Sequence, residues 1–310
     1  MAASLIDPRA LMRIKSLQLR AQVVVEGFFN GLHRSPYHGF SVEFSEYREY
    51  STGDDPRYVD WRLLARTDRY YIKRFEDETN LRCYLLVDLS RSMGYGSLDW
   101  TKADYARTAA ATLAYFLASH RDAVGLVPFE ERIAEYLPAR HRPGHLRRLM
   151  LCLERAVAGT ATDLAAPLEQ IARTVRKRGL VVLISDLLAP VETIARQLGY
   201  LRSRGHEVVV MRTLDPAEIE FNFANPAMFQ DVESGRELYV DPAAIRREYL
   251  ARFEAHDAAI QQACRDLGIA YSLLRTDRPL EMALFDFVRL RRRGAGRPAG
   301  RGARRAGRPA

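Results

Sequence analysis

Cysteine is scarce in this 310-residue sequence, and the three that occur, Cys83, Cys152 and Cys264, lie far apart. They form no CxxC pair, so the sequence supports neither a zinc ribbon nor a disulfide framework. Long hydrophobic runs are also missing, because the longest uncharged stretch, residues 108–119, falls well short of the ~20 residues that a membrane helix needs. The N-terminal residues lack the apolar core region of a signal peptide. We therefore expect a cytoplasmic protein with no transmembrane segment.

The common catalytic motifs are absent as well. The sequence contains no GxxxxGK[ST], HExxH or GxSxG motif, and no GxGxxG that follows a strand. These absences argue against a P-loop ATPase, a zinc protease of the HExxH type, an α/β-hydrolase and a dinucleotide-binding enzyme. The seven histidines show no spacing typical of metal ligands or catalytic bases.

The net positive charge comes from one end of the chain. The formal net charge is +8, but residues 291–310 contain eight arginines and no acidic residue, so the remainder is neutral. These last residues are Arg, Gly, Pro and Ala only, which predicts a disordered tail. The tail could bind nucleic acid or anionic lipid non-specifically, and nucleic-acid binding through it is one candidate function.

From residue 81 onward, short apolar strands alternate with helices. Strands are predicted at residues 81–87, 123–129, 133–137, 180–185, 208–212 and 270–274, and helices at 101–119, 144–156, 164–177, 192–203, 242–267 and 279–289. Continuous Val/Ile/Leu strands between helices indicate a sheet that is covered on both faces. The pattern predicts an α/β domain with a mostly parallel central sheet over residues 81–290. An irregular insertion near 214–240 is expected to contain a hairpin.

Residues 1–80 have a different character. Residues 8–32 have the periodicity of a single amphipathic helix. Residues 35–68 are polar, aromatic and rich in turn signals, and residues 69–76 have a strand pattern. We expect an N-terminal helix followed by a small β-rich segment.

Oxygen-bearing side chains follow two of the apolar strands. The first strand ends in a D-x-S-x-S pattern, Asp88, Ser90 and Ser92, and Asp186 directly follows the strand at 180–185. Thr162 precedes a predicted helix and offers a hydroxyl oxygen, and Thr160 is a competing candidate for this position. Ligands bind at the carboxyl ends of strands in parallel sheets, and hard oxygen donors suit Mg²⁺ or Mn²⁺. The alternative is structural, because Ser, Thr and Asp are also ordinary helix caps and turn formers.

A longer motif precedes this domain. It comprises Gly39, Glu43-Phe44, Arg48, Tyr50, Gly53-Asp54-Asp55, Arg57, Asp60-Trp61 and Ala65-Arg66. The motif resembles the signature of a bacterial family, the domain of unknown function 58, and the resemblance covers roughly residues 30–290. The order D-x-S-x-S, Thr, Asp is similar to the metal-ion-dependent adhesion site of von Willebrand factor A domains.

The resemblance implies a Rossmann-like von Willebrand factor A fold with Mg²⁺ or Mn²⁺ held by Asp88, Ser90, Ser92, Thr162 and Asp186. It also implies a protein-binding adaptor or chaperone-like partner of a MoxR-type AAA+ ATPase, rather than an enzyme. We expect an acidic side chain of the protein ligand to complete the metal shell.

Two further alternatives stay open at this point. A Mg²⁺-dependent hydrolase could use Asp88 and Asp186, although the sequence offers no clear general base. The charged segment 43–66 is either an ion-paired structural segment or a second contact surface for a partner.

Overall fold

The computed structural model describes residues 5–34, 46–49, 70–74, 81–155, 165–175, 177–231 and 235–295. The strands are β1 (Glu46–Glu49), β2 (Tyr71–Arg74), β3 (Arg82–Asp88), β4 (Ala123–Phe129), β5 (Leu137–Arg140), β6 (Leu180–Ser185), β7 (Glu207–Leu214), β8 (Ala227–Gln230), β9 (Glu237–Val240) and β10 (Ala270–Arg275). The helices are α1 (Pro8–Met12), α2 (Leu17–Arg34), α3 (Lys102–Ser119), α4 (His145–Glu154), α5 (Ala165–Thr174), α6 (Val191–Ser203), α7 (Pro216–Glu220), α8 (Pro242–Asp266) and α9 (Leu280–Ala295).

Six strands form the central sheet in the order β10-β7-β6-β3-β4-β5. All neighbours pair in parallel except β5, which runs antiparallel to β4 at the edge. This is the strand order of a doubly wound, Rossmann-like sheet, and it confirms the predicted fold class. The order reverses between β3 and β6, so a crevice for ligands is expected at their carboxyl ends.

Helices cover both faces of the sheet, as the apolar strands predict. In β3, Cys83, Leu85 and Val87 face a core shared with α2, α3, α4 and α9. Tyr84 and Leu86 alternate with them and face a second core shared with α5, α6 and α8. The two-residue period of a strand therefore supplies both layers from one sequence.

The N-terminal region contains two helices where the periodicity of residues 8–32 predicts one. The break lies between Met12 and Leu17. The Arg20 side chain donates hydrogen bonds to the carbonyl oxygens of Met12 and Ile14, and Ser16 Oγ accepts from the Leu19 N–H at 3.3 Å. These polar contacts satisfy the backbone groups that the break leaves without helical partners. The break depends on polar side chains, so the apolar periodicity of the sequence does not reveal it.

The edge strand begins later than the sequence predicts. Ile133 makes only an isolated bridge with Phe129, and pairing with β4 resumes over Leu137–Arg140 with an irregular register at Val124 and Leu126. Pro138 lies in β5, where an edge strand tolerates the missing N–H.

The remaining predicted elements agree with the structure within a few residues. The antiparallel pair β1–β2 forms the small β-rich segment, and β8–β9 forms the hairpin in the insertion. The final helix continues to Ala295, into the first residues of the predicted tail, because arginine is a good helix former and is favourable near a helix C-terminus.

Residues 296–310 and most of segment 43–66 lie outside the described residues. Within the described part, no helix is long and apolar enough to cross a bilayer.

Candidate metal centre at the carboxyl edge of the sheet

The structure brings Asp88 and Asp186 together at the switch point of the sheet. Asp88 is the last residue of β3, and Asp186 follows β6, which pairs with β3 directly. Both side chains are fully buried. The hydroxyl of Ser185, the last residue of β6, donates a hydrogen bond to Asp88 Oδ2.

The two serines of the D-x-S-x-S pattern lie beside Asp88. The Ser90 N–H donates to Asp88 Oδ1 at 2.9 Å, which turns the chain into a short 3-10 helix, Arg91–Gly94. The hydroxyl oxygens of Ser90 and Ser92 are 3.2 Å apart, and both residues are buried. One tight turn therefore places a carboxylate and two hydroxyls on the same side of the strand end.

The environment of Asp88 disfavours its negative charge. Burial raises the pKa of Asp88 to about 6, and the neighbouring charge of Asp186 acts in the same direction. Hydrogen bonds from Ser185 and Ser90 lower the pKa but do not offset these two effects. Two buried carboxylates at close range are a configuration that a bound cation would stabilise.

A buried lysine, which the sequence does not single out, already neutralises part of this charge. Lys102 is the first residue of α3, and its Nζ lies 2.9 Å from Asp186 Oδ2 and 2.6 Å from Glu218 Oε1. Desolvation lowers the pKa of Lys102, but the charges of Asp186 and Glu218 outweigh it, and the net shift is upward. Lys102 therefore holds a positive charge inside the protein.

A second set of polar residues extends the site along the same edge. Asp215 directly follows β7, is fully buried, and accepts hydrogen bonds from the N–H and hydroxyl of Ser97. Asp215 also caps α7 in a reciprocal box with Glu218, the residue that contacts Lys102. The sequence does carry a signal for this arrangement, because Asp215-Pro216-x-Glu218 after an apolar strand is a capping-box pattern.

The donor set fits a hard divalent cation. Asp186 Oδ2 is occupied by Lys102, but its Oδ1 is buried without a hydrogen-bond partner among the described residues. A buried carboxylate oxygen without a partner is costly, and a bound cation would satisfy it. The described residues contain no group of three or more His, Cys, Asp and Glu side chains placed to bind a metal, so a cation here would depend on hydroxyl ligands. Thr162 and its competitor Thr160 lie outside the described residues.

The histidines do not join this cluster in the described part of the chain. His145, His206 and His256 each hydrogen-bond to a backbone carbonyl oxygen, at 2.8, 3.2 and 3.0 Å. The serine hydroxyls contact each other instead of an imidazole. This geometry gives no support to a hydrolase that activates Ser90 or Ser92 through histidine.

Curated relatives of the chain come from mycobacteria. The chain is 32% identical to the uncharacterized protein Rv1480 of Mycobacterium tuberculosis over 294 residues, which is 93% of this chain and 92% of the relative. It is 36% identical to the uncharacterized protein MAV169 of Mycobacterium avium over 158 residues, which is 50% of this chain and 92% of that protein.

Solved structures with similar architecture are more distant. BatB from Bacteroides thetaiotaomicron superimposes with a TM-score of 0.48 at 13% identity, over 68% of this chain and 99% of that chain. The SpRpn10 VWA domain gives a TM-score of 0.38 at 12% identity, over 66% of this chain and 94% of that chain. Likeness at this level carries no argument about what the chain binds.

The match to a family is much more specific. The sequence model of the family described as "Protein of unknown function DUF58" matches residues 46–259, from β1 into α8, and this range includes the whole candidate metal centre. The chain belongs to the DUF58 family.

Proposed function

We propose that this protein is a metal-dependent protein-binding module, which binds its partner at the carboxyl edge of the sheet. The fold fits a protein-interaction module, since a covered α/β sheet offers one open edge at which loops from several strands converge. The observation that carries the proposal is the unpartnered, buried Oδ1 of Asp186, on a carboxylate close enough to that of Asp88 to raise the pKa of Asp88.

Mg²⁺ or Mn²⁺ is the proposed ion. Asp88, Ser90, Ser92 and Asp186 are the described residues that would hold it, and Thr162 is the proposed fifth ligand. These are hard oxygen donors, and three of the five are uncharged. When bound, the cation would supply a positive charge with open coordination positions that an external ligand can fill.

Lys102 strengthens the argument for an acidic ligand from the partner. Its ammonium group pairs with Asp186 and so withdraws part of the negative charge available to a metal. A divalent ion at this position would remain electron-poor, because hydroxyl ligands contribute no charge. A Glu or Asp carboxylate from another protein is the ligand that best completes such a shell.

The proposed partner is an AAA+ ATPase of the MoxR type, with this protein as its adaptor or chaperone-like companion. Support comes from the resemblance in residues 30–290 and from membership of the family. The proposed location is the cytoplasm, which is consistent with three cysteines that are free and buried.

The decisive experiment measures the affinity of the purified full chain for the MoxR-type ATPase of its own genome, in Mg²⁺ and again in EDTA. We expect binding only in Mg²⁺, and a loss of at least tenfold in the Asp88→Ala variant. Thr162→Ala should weaken binding, whereas its matched neighbour Thr160→Ala should not. Circular dichroism confirms that each variant is folded. Equal affinity in Mg²⁺ and EDTA would contradict the proposal and would move attention to segment 43–66.

A further inference from the structure

A basic groove lies at the opposite, amino-terminal edge of the sheet, away from the carboxylate cluster. It has a volume of about 450 Å³ and is formed by the end of α3, the end of β5 and the beginning of α4. Tyr115, Leu146 and Leu149 supply apolar lining. The volume falls within the range of small-molecule sites, and the lining combines apolar and basic side chains.

The polar lining of this groove carries one sign of charge. Arg140, His141 and Arg142 line it and are exposed, and no acidic residue is among the described residues that line it. Neither Arg140 nor Arg142 forms an ion pair with any carboxylate in the described part of the chain. An anion entering the groove would therefore meet guanidinium groups that none of the described carboxylates already pairs with.

A helix N-terminus opens into the same groove. Helix α4 is capped by Gly144, which has a φ of 77° and no side chain to accept a hydrogen bond. The first turn contains no acidic residue. Within the described residues, the backbone N–H groups of Leu146 and Arg147 have no acceptor, since only those of His145 and Arg148 find one nearby. Free N–H groups and the helix dipole both favour an anion here.

His145 is a second, independent feature of the groove. It lines the groove, is 6% exposed, and its Nε2 donates to the Val124 carbonyl oxygen at 2.8 Å. Its Nδ1 is buried with no partner among the described residues. Burial lowers the pKa of His145, and the positive charges of Arg142 and Arg140 act in the same direction.

We infer that this groove binds a small phosphate-bearing ligand. Its phosphate group lies at the N-terminus of α4 between Arg140 and Arg142, and the rest of the ligand rests on Tyr115 and Leu146. Phosphate suits the site better than a single carboxylate, because its oxygens can accept from two guanidinium groups and two backbone N–H groups together. This site is independent of the metal centre.

The test is calorimetry on the full chain with pyrophosphate and with ADP as probes, in EDTA so that no magnesium complex forms. The Arg140→Gln/Arg142→Gln variant should lose at least tenfold in affinity. The control is Lys177→Gln/Arg247→Gln, which removes two exposed cations elsewhere and should bind within twofold of the unmodified protein. Asp88→Ala should also bind normally, because its site lies at the other edge.

Three outcomes would overturn the inference. The first is no binding of either probe by the unmodified protein. The second is an equal loss in the groove variant and in the control, which would mean diffuse attraction to net charge. The third is a DNA duplex that binds through Arg140 and Arg142 while both small probes fail, which would assign the groove to nucleic acid.

Discussion

Lys102 is a cation built into the protein beside the candidate metal centre. Its ammonium group is fully buried and contacts the carboxylates of Asp186 and Glu218. Burying an unpaired charge is expensive, so each member of this trio depends on the others. Lys102 therefore fixes one oxygen of Asp186 and leaves the other available.

Substitution of Lys102 should be strongly destabilising. Lys102→Met leaves the buried Asp186 and the partly buried Glu218 without their shared cation, and we expect a loss of about 3–5 kcal/mol in the free energy of unfolding. Urea denaturation in EDTA measures it, with the exposed Lys177→Met as the matched control. A loss below about 1 kcal/mol, as for an exposed pair, would contradict the described geometry.

The cysteines should be unreactive in the folded protein. Cys83, Cys152 and Cys264 are all buried, and burial raises the pKa of Cys152 to about 12 and that of Cys264 to about 11. Only the thiolate is an efficient nucleophile. At pH 8, we expect no measurable reaction with a chromogenic disulfide reagent until the protein is unfolded in urea, when three thiols should react. Rapid labelling of the native protein would show that these sites open.

At this scale, the sequence predicts those site residues that follow apolar runs. Asp88 and Asp186 are recognisable because strand ends can be located from Val/Ile/Leu patterns, and the sheet order then brings them together. Lys102 is not recognisable from the sequence, because its partners Asp186 and Glu218 lie 84 and 116 positions further along the chain. Lysine is also normally exposed, so a lysine at the start of a helix gives no sign of burial.

Among the secondary-structure elements, β4 and β5 show how closely backbones approach at the sheet edge. A Cβ atom added at Gly125 of β4 would lie 2.8 Å from Ala139 N and 2.9 Å from Leu137 O of β5. The edge strand can therefore pair here only because this residue has no side chain. The apolar pattern predicts β4 with the correct bounds, but the start of β5 depends on this contact and is not encoded locally.

Gly125→Ala should therefore weaken the sheet edge. We expect a loss of about 1–3 kcal/mol in the free energy of unfolding, because the backbone of β5 must move. The matched control is Gly199→Ala in α6, where the nearest atom is Leu267 Cδ2 at 3.5 Å, and a gain of about 0.5–1 kcal/mol is expected. If both substitutions stabilise the protein, the described pairing of β4 with β5 is wrong.

The last helix and the N-terminal segment are joined by a buried carboxylate. Glu281 of α9 accepts a hydrogen bond from the Ile6 N–H at 2.8 Å and is 1% exposed, and burial raises its pKa. The unfolded chain ionises near the ordinary pKa, whereas the folded protein resists ionisation until higher pH. Between the ordinary pKa and the raised pKa, the folded state therefore binds more protons than the unfolded state. The contribution of Glu281 to the free energy of unfolding falls as pH rises through this interval.

Glu281→Gln should remove this pH dependence. The amide keeps an oxygen acceptor for Ile6 but cannot ionise. We expect the two proteins to converge in stability below about pH 4, and the variant to gain relative to the unmodified protein as pH rises, with a plateau above the raised pKa. Urea denaturation at several pH values measures this difference. Glu237→Gln, at an exposed site in β9, should follow the unmodified protein. A constant difference between pH 4 and 8 would contradict the account.

On the scale of the whole molecule, the two edges of one sheet have opposite electrostatic character. The carboxyl edge gathers Asp88, Asp186, Asp215 and Glu218, of which Asp186 and Glu218 pair with Lys102, whereas the amino edge presents arginines near the start of α4. The overall fold follows from the alternation of apolar strands and helices, and it was predictable. The grouping of charges at each edge was not, because it depends on which strand ends become neighbours once the sheet has formed.

The most direct test of the central claim is the binding of Mg²⁺ itself, measured by calorimetry on the full chain. The account predicts one weak site in the unmodified protein and a loss of at least tenfold in Ser90→Ala. It predicts no change in Ser272→Ala, which removes an equally buried hydroxyl that donates to Asp286 instead. If folded Ser90→Ala binds Mg²⁺ as the unmodified protein does, or if the unmodified protein gives no heat of binding, the carboxyl edge is not a metal centre.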